Sequence, residues 1–159
     1  MVKTLLKMIC AVLFFLAALL TWLDQSRSFY CLSENKCITV WKRLGDKCYV
    51  IPGKYYGVFK PTNYIKTTNT QYLTIYFSSD VPNKMIVRNQ GSSTGEKGGY
   101  DIVNNLPENF DIVEYSEEYR AILYKPDAIK FKDVKSNTDY LTINIKENYS
   151  TDKIGKKIK

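Results

Sequence analysis

Residues 8–23 form an unbroken apolar run, after which the chain changes to short stretches in which apolar and polar positions alternate. As a helix, sixteen residues rise about 24 Å. With Thr4, Leu5 and Leu6 added and Lys7 reaching the headgroups, the run 4–23 is long enough to cross a bilayer. Lys3 and Lys7 precede it while Asp24 and Arg27 cancel behind it, which predicts a cytoplasmic N-terminus and an extracytoplasmic remainder. A secreted product, cleaved at the small-residue site Ser26-Arg27-Ser28, is the alternative.

Beyond this run, residues 37–42 and 47–51 read as two strands around a glycine-containing turn, with Cys48 opposite Trp41 and on the same face as Trp41 and Val50. Aromatic and β-branched residues at 54–60 predict a strand that stops at Pro61. Shorter strands are expected at 64–67, 84–88, 101–103, 110–115, 118–124 and 128–132. The clearest alternation lies at 72–77, where Leu73, Ile75 and Phe77 face one way and Tyr72, Thr74 and Tyr76 the other. No stretch after the first run has a helical apolar period. Nine or ten short strands in total predict a mostly β fold, an antiparallel sandwich or partly closed barrel.

The phrase Asn-Thr-x-Tyr-Leu-Thr-Ile occurs twice, from Asn69 and from Asn137, and each copy follows an apolar stretch closed by Lys-Pro, at Pro61 and Pro126. This predicts an internal duplication with halves at about 37–90 and 100–150. The expected organisation is an anchor or signal segment at 1–28, one domain at 29–150 and a basic, flexible tail at 151–159. The 131 residues remaining after the first 28 of 159 suit one domain.

Charge changes this picture little. The net +7 resides at the ends, because Lys3, Lys7, Lys153, Lys156, Lys157 and Lys159 leave 17 basic and 16 acidic residues between them. A near-neutral domain with few arginines is not expected to bind nucleic acid.

Three of the four cysteines follow the apolar run. Outside the cytoplasm a disulfide is their default fate. Cys37 lies too far along its strand to reach Cys48, whereas the turn 33–36 returns Cys31 to Cys37, so Cys31–Cys37 is the expected bridge and Cys31–Cys48 the second choice. Cys48 is then a buried free thiol. Three thiolates without a fourth ligand predict no metal, and no cofactor motif is present.

The chain has no histidine, which excludes Ser-His and Cys-His pairs and histidine bases. Ser33 and Lys36 match Ser-x-x-Lys, but they sit in a turn without the partner motifs. The glycine-rich stretch 91–99 lacks the adjacent Gly-Lys-Ser/Thr of a phosphate loop. Glu114, Glu117 and Glu118 are the carboxylates a small glycan or peptide hydrolase would use. Thirteen tyrosines point instead to recognition, since tyrosine is enriched at binding surfaces. Tyr72, Tyr76, Tyr140 and Asn144, on the face opposite the apolar rows, form the expected binding patch. The expected function is a non-catalytic envelope binding module whose partner is another envelope protein. An immunity-type inhibitor of a toxin or hydrolase is one form of it, and an accessory subunit of an envelope complex is the alternative.

Overall fold

A computed structural model describes residues 2–25, 27–43, 45–92, 99–105, 110–126, 128 and 133–158. The first element is α1 (Val2–Gln25), whose described side chains are exposed throughout. It is long and apolar enough to cross a membrane, a test that a signal sequence also passes.

The strands are β1 (Arg27–Ser33), β2 (Lys36–Lys42), β3 (Lys47–Pro52), β4 (Asn63–Thr68), β5 (Gln71–Ser78), β6 (Lys84–Ser92), β7 (Asp101–Asn104), β8 (Asp111–Glu114), β9 (Thr138–Asn144), β10 (Tyr149–Thr151) and β11 (Lys157–Ile158). Sheet I has the order β1-β2-β3-β4-β7 and is antiparallel. Sheet II has the order β11-β10-β9-β5-β6-β8, parallel only where β6 meets β8. The fold is mostly β, and the two open sheets stack as a sandwich, as the alternating pattern predicts. Between them Ile38, Val40 and Val50 of sheet I meet Leu73, Ile75, Leu141 and Ile143 of sheet II, all at 0–1% exposure.

The repeated phrase forms the centre of sheet II. β5 and β9 are antiparallel neighbours with Leu73 opposite Ile143, Thr74 opposite Thr142 and Ile75 opposite Leu141. Equivalent threonines therefore face each other across a local two-fold axis, their hydroxyls 3.2 Å apart. The β5–β6 and β9–β10 hairpins flank that axis. In sheet I, β7 is the strand from the expected second half, lying beside β4, so the visible two-fold pairing is the one at the centre of sheet II.

Four expectations need correction. The β2–β3 hairpin pairs Lys42 with Cys48 and Trp41 with Tyr49, one residue away from the expected register. Arg43 N–H donates to Lys47 O, and Gly45 and Asp46 turn the chain with positive φ. A one-residue change moves every side chain to the other face, so Trp41 lies on the outer face with Tyr49 and Ile51 while Cys48 and Val50 enter the core.

Residues 54–60 are not a strand, because side chains satisfy their backbone instead of a ladder. Thr39 Oγ1 accepts from Tyr55 N–H and donates to Gly53 O, and Arg27 donates to Tyr55 O and Gly57 O.

The expected strand at 118–124 is instead the helix α2 (Glu117–Leu123). Ser116 stands at its N-cap position, Glu117 and Glu118 suit its first turn, and Tyr119 and Leu123, four apart, face sheet II.

The tail expected to be flexible returns as β11, which pairs Lys157 with Thr151 and Ile158 with Ser150. The Asp152 carboxylate accepts from Ile154 and Lys156 N–H, and Gly155 supplies the turn at φ +81. The expected strand at 128–132 lies outside the described residues except at Ala128, and the glycine-rich stretch does so at 93–98.

The disulfide joins Cys31 to Cys37, which are directly paired between β1 and β2. Cys48 is a free thiol at 0% exposure, and burial pushes it up to about 12, with Lys42 opposing that rise. In the unfolded chain the thiol ionises near pH 9 but in the folded chain only near 12, so its contribution is intact below pH 9 and is lost as pH rises. Urea unfolding is expected to show stability falling by up to about 1.4 kcal/mol per pH unit from this group. Cys48→Ala is expected to remove that part of the slope between about pH 9 and 10, and an unchanged slope would mean that the thiol is accessible.

Candidate functional site

The expected tyrosine patch is covered. Tyr76, Tyr140 and Asn144 are 1%, 8% and 2% exposed, and Tyr72 is half-buried. Alternation places them on the outer face of sheet II as expected, but Leu123 of α2, Tyr124 and Val134 pack over Tyr76 and Tyr140 on that face. The Tyr76 and Tyr124 hydroxyls meet at 2.7 Å, and burial, reinforced by that contact, raises the Tyr76 pKa. Tyr72 Oη accepts from Asn144 Nδ2 at 3.0 Å. Tyr76 and Tyr140 thus belong to a second buried cluster, Asn144 is buried as well, and Tyr72 alone of the four keeps appreciable exposed surface.

The three glutamates are divided between two elements. Glu114 lies on β8 and accepts from Tyr100 Oη at 2.8 Å. Glu117 and Glu118 are exposed on the first turn of α2, where Glu117 is 3.5 Å from Arg120. Among the described residues no group of three His, Cys, Asp or Glu is arranged to hold a metal ion.

The register assigns two ends to the sandwich. One row across sheet I runs Arg27, Trp41, Tyr49, Lys66 and Asp101, and Arg27 is two residues beyond α1. This is the helix end. At the distal end, Pro52 pairs with Ile38 and Asn63 with Asn104.

The distal end carries two open grooves on either side of Phe110. One, of about 540 Å³, is walled by Ile51, Pro52, Tyr55 and Pro61, with Lys60, Thr62 and Asn63 on its polar side. The other, of about 260 Å³, lies between Asn35, Lys36, Phe77, Ser79, Pro82 and Lys84. Asn63 Nδ2 donates to Phe110 O at 2.7 Å, and Asn104 bonds to both Asp111 and Ile112, so side-chain amides fix the chain that separates the grooves. The disulfide closes the turn that supplies Asn35 and Lys36.

Asp139 ties this end across the sheets, with Lys36 and Lys153 each at 2.6 Å. Burial alone would raise its pKa, but hydrogen bonds from the two lysines outweigh that and hold the carboxyl below its usual range.

No family model, curated protein or solved structure matches the chain. The grooves at Phe110 were not legible in the sequence, because Asn35, Thr62, Ser79 and Phe110 come from four separate connections. The turn 33–36 and the prolines Pro61 and Pro82 marked connections in the sequence, but nothing local said that those connections meet.

Proposed function

We propose that the chain is a non-catalytic binding module of the cell envelope, which α1 carries on the outer side of the membrane and which recognises a protein partner at its distal end. The observation that carries this reading is the pair of open, largely apolar grooves beside Phe110, at the end of the sandwich remote from α1. A disulfide in the adjoining turn suits an oxidising compartment. Open grooves with apolar walls and a few polar groups suit a segment of another polypeptide.

The test is recovery of partners from envelope extract with the full chain in mild detergent. Thr62 and Ser79 are exposed at the rims, so Thr62→Arg and Ser79→Arg fill the grooves without disturbing the core. A stoichiometric partner is expected with the wild type, and groove filling should weaken it by about 2 kcal/mol or more, roughly thirtyfold. Inhibition of a recovered toxin or hydrolase would assign an immunity-type inhibitor, and stable co-assembly an accessory subunit. Turnover of a glycan or peptide lost on Glu117→Gln, with no partner recovered, would assign a hydrolase instead.

A further inference from the structure

The β3–β4 connection is longer than joining two neighbouring antiparallel strands requires. β3 ends at the distal end with Pro52, and β4 begins there with Asn63. Between them the chain runs back along the outer face of sheet I to the helix end, turns, and returns. Its course is marked by its partners. Gly53 N–H donates to Cys37 O, Tyr55 bonds to Thr39, Gly57 O accepts from Arg27 Nη2 at 2.7 Å, and Lys60 Nζ lies 5.7 Å from the Tyr49 ring centroid. The apex therefore stands level with the first residue of β1.

The apex has a built shape. Tyr55 Oη donates to Phe59 O at 2.5 Å, closing the turn, and a Cβ at Gly57 would have to displace the Tyr55 hydroxyl from that contact. The Tyr56 ring packs on Phe29 with centroids 5.1 Å apart. The side chains this shape presents are apolar and uncovered, with Tyr56 at 64%, Val58 at 58% and Phe59 at 81% exposure. Outside α1, Ile154 is the other exposed large apolar residue among those described. Lys54 and Lys60, both exposed, flank the apex.

We propose that this apex, Tyr56, Val58 and Phe59, inserts into the lipid interface of the membrane that α1 crosses, giving the domain a second membrane contact. The proposal rests on α1 being retained as an anchor. Chain continuity favours lipid over a protein partner. Two steps of about 3.8 Å separate Gln25 from Arg27, and the Arg27 side chain itself holds Gly57. Aromatic and aliphatic side chains flanked by lysines match the chemistry of the headgroup boundary, where rings sit at the interface and ammonium groups meet anionic lipid.

Nitroxide labels on the full chain test it, in liposomes of phosphatidylcholine and phosphatidylglycerol. Cys10→Ala removes the exposed native thiol, and Cys48 is buried. Labels are placed singly at Leu13→Cys, Val58→Cys and Ile154→Cys, and collisions with oxygen and with a water-soluble nickel chelate are compared. The label at 58 is expected to share the oxygen preference of the label at 13, several-fold above that at 154. Tyr56→Ser combined with Phe59→Ser should return it to water. A label at 58 as nickel-accessible as that at 154, with 13 still in lipid, would overturn the proposal and leave the anchor intact. Shielding from both reagents would mean a protein contact and would also overturn it. Nickel access at 13 would show that the anchor reading itself fails, and the proposal with it.

Discussion

Replacing Trp41 with alanine is expected to lower the unfolding free energy by about 3–5 kcal/mol, the largest single-residue effect anticipated in this molecule. The indole is 1% exposed on the outer face of sheet I, where Tyr49 and Tyr55 pack at its edges with centroids 6.1 and 6.2 Å away. The Arg27 and Arg43 guanidinium groups lie 4.3 and 4.6 Å from the ring centroid. Such stacks add roughly 0.5–2 kcal/mol each according to their desolvation. Arg27 is 8% exposed and belongs at the upper part of that range. Urea unfolding of the detergent-solubilised chain, followed by far-ultraviolet circular dichroism, measures the loss. A change below about 1 kcal/mol would mean that the outer face of sheet I is not a packed layer.

Leu141→Ala is expected to cost about 2–5 kcal/mol in the same assay. Leu141 is fully buried and paired with Ile75 beside the local two-fold axis, so the cavity would open in the middle of the sandwich, where both sheets limit relaxation. Thr142→Ala, one residue along and half-buried, removes only a hydroxyl contact and is expected to cost no more than about 1.5 kcal/mol. Equal losses at the two positions would place the apolar row of β9 outside the core.

These effects also mark which parts of the structure were legible in the sequence. The strict alternation of Leu73, Ile75 and Phe77, and of Leu141, Ile143 and Ile145, specified both strands and their buried rows, because a period of two can satisfy only one face. The cysteine pairing was legible because chain geometry left Cys31 as the partner that could reach Cys37.

Trp41 was assigned to the wrong face because register depends on the turn between Arg43 and Lys47, and its positive φ angles are not written in the alternation. The tyrosine row was placed on the correct face, but the burial of Tyr76 and Tyr140 depends on packing with Leu123 of α2 and with Val134, which the alternation does not show. α2 itself carried local signals in Ser116, Glu117, Glu118 and the Tyr119–Leu123 spacing, yet seven residues are too few for an apolar period to emerge against a β background.

One residue separates Gln25 from Arg27, which leaves almost no slack between α1 and β1. If α1 stays in the bilayer, the domain is mounted on a post and cannot swing as it would on a leash. Along β1, at about 3.3 Å per residue, the row of Tyr30, Ile38 and Pro52 then puts the larger groove about 10 Å above the Arg27 row, and Ser33, paired with Lys36, puts the smaller groove about 20 Å above it. Partners would be selected by height as well as by chemistry, because a segment hugging the headgroups would pass beneath the smaller groove and one carried on a folded ectodomain would meet it.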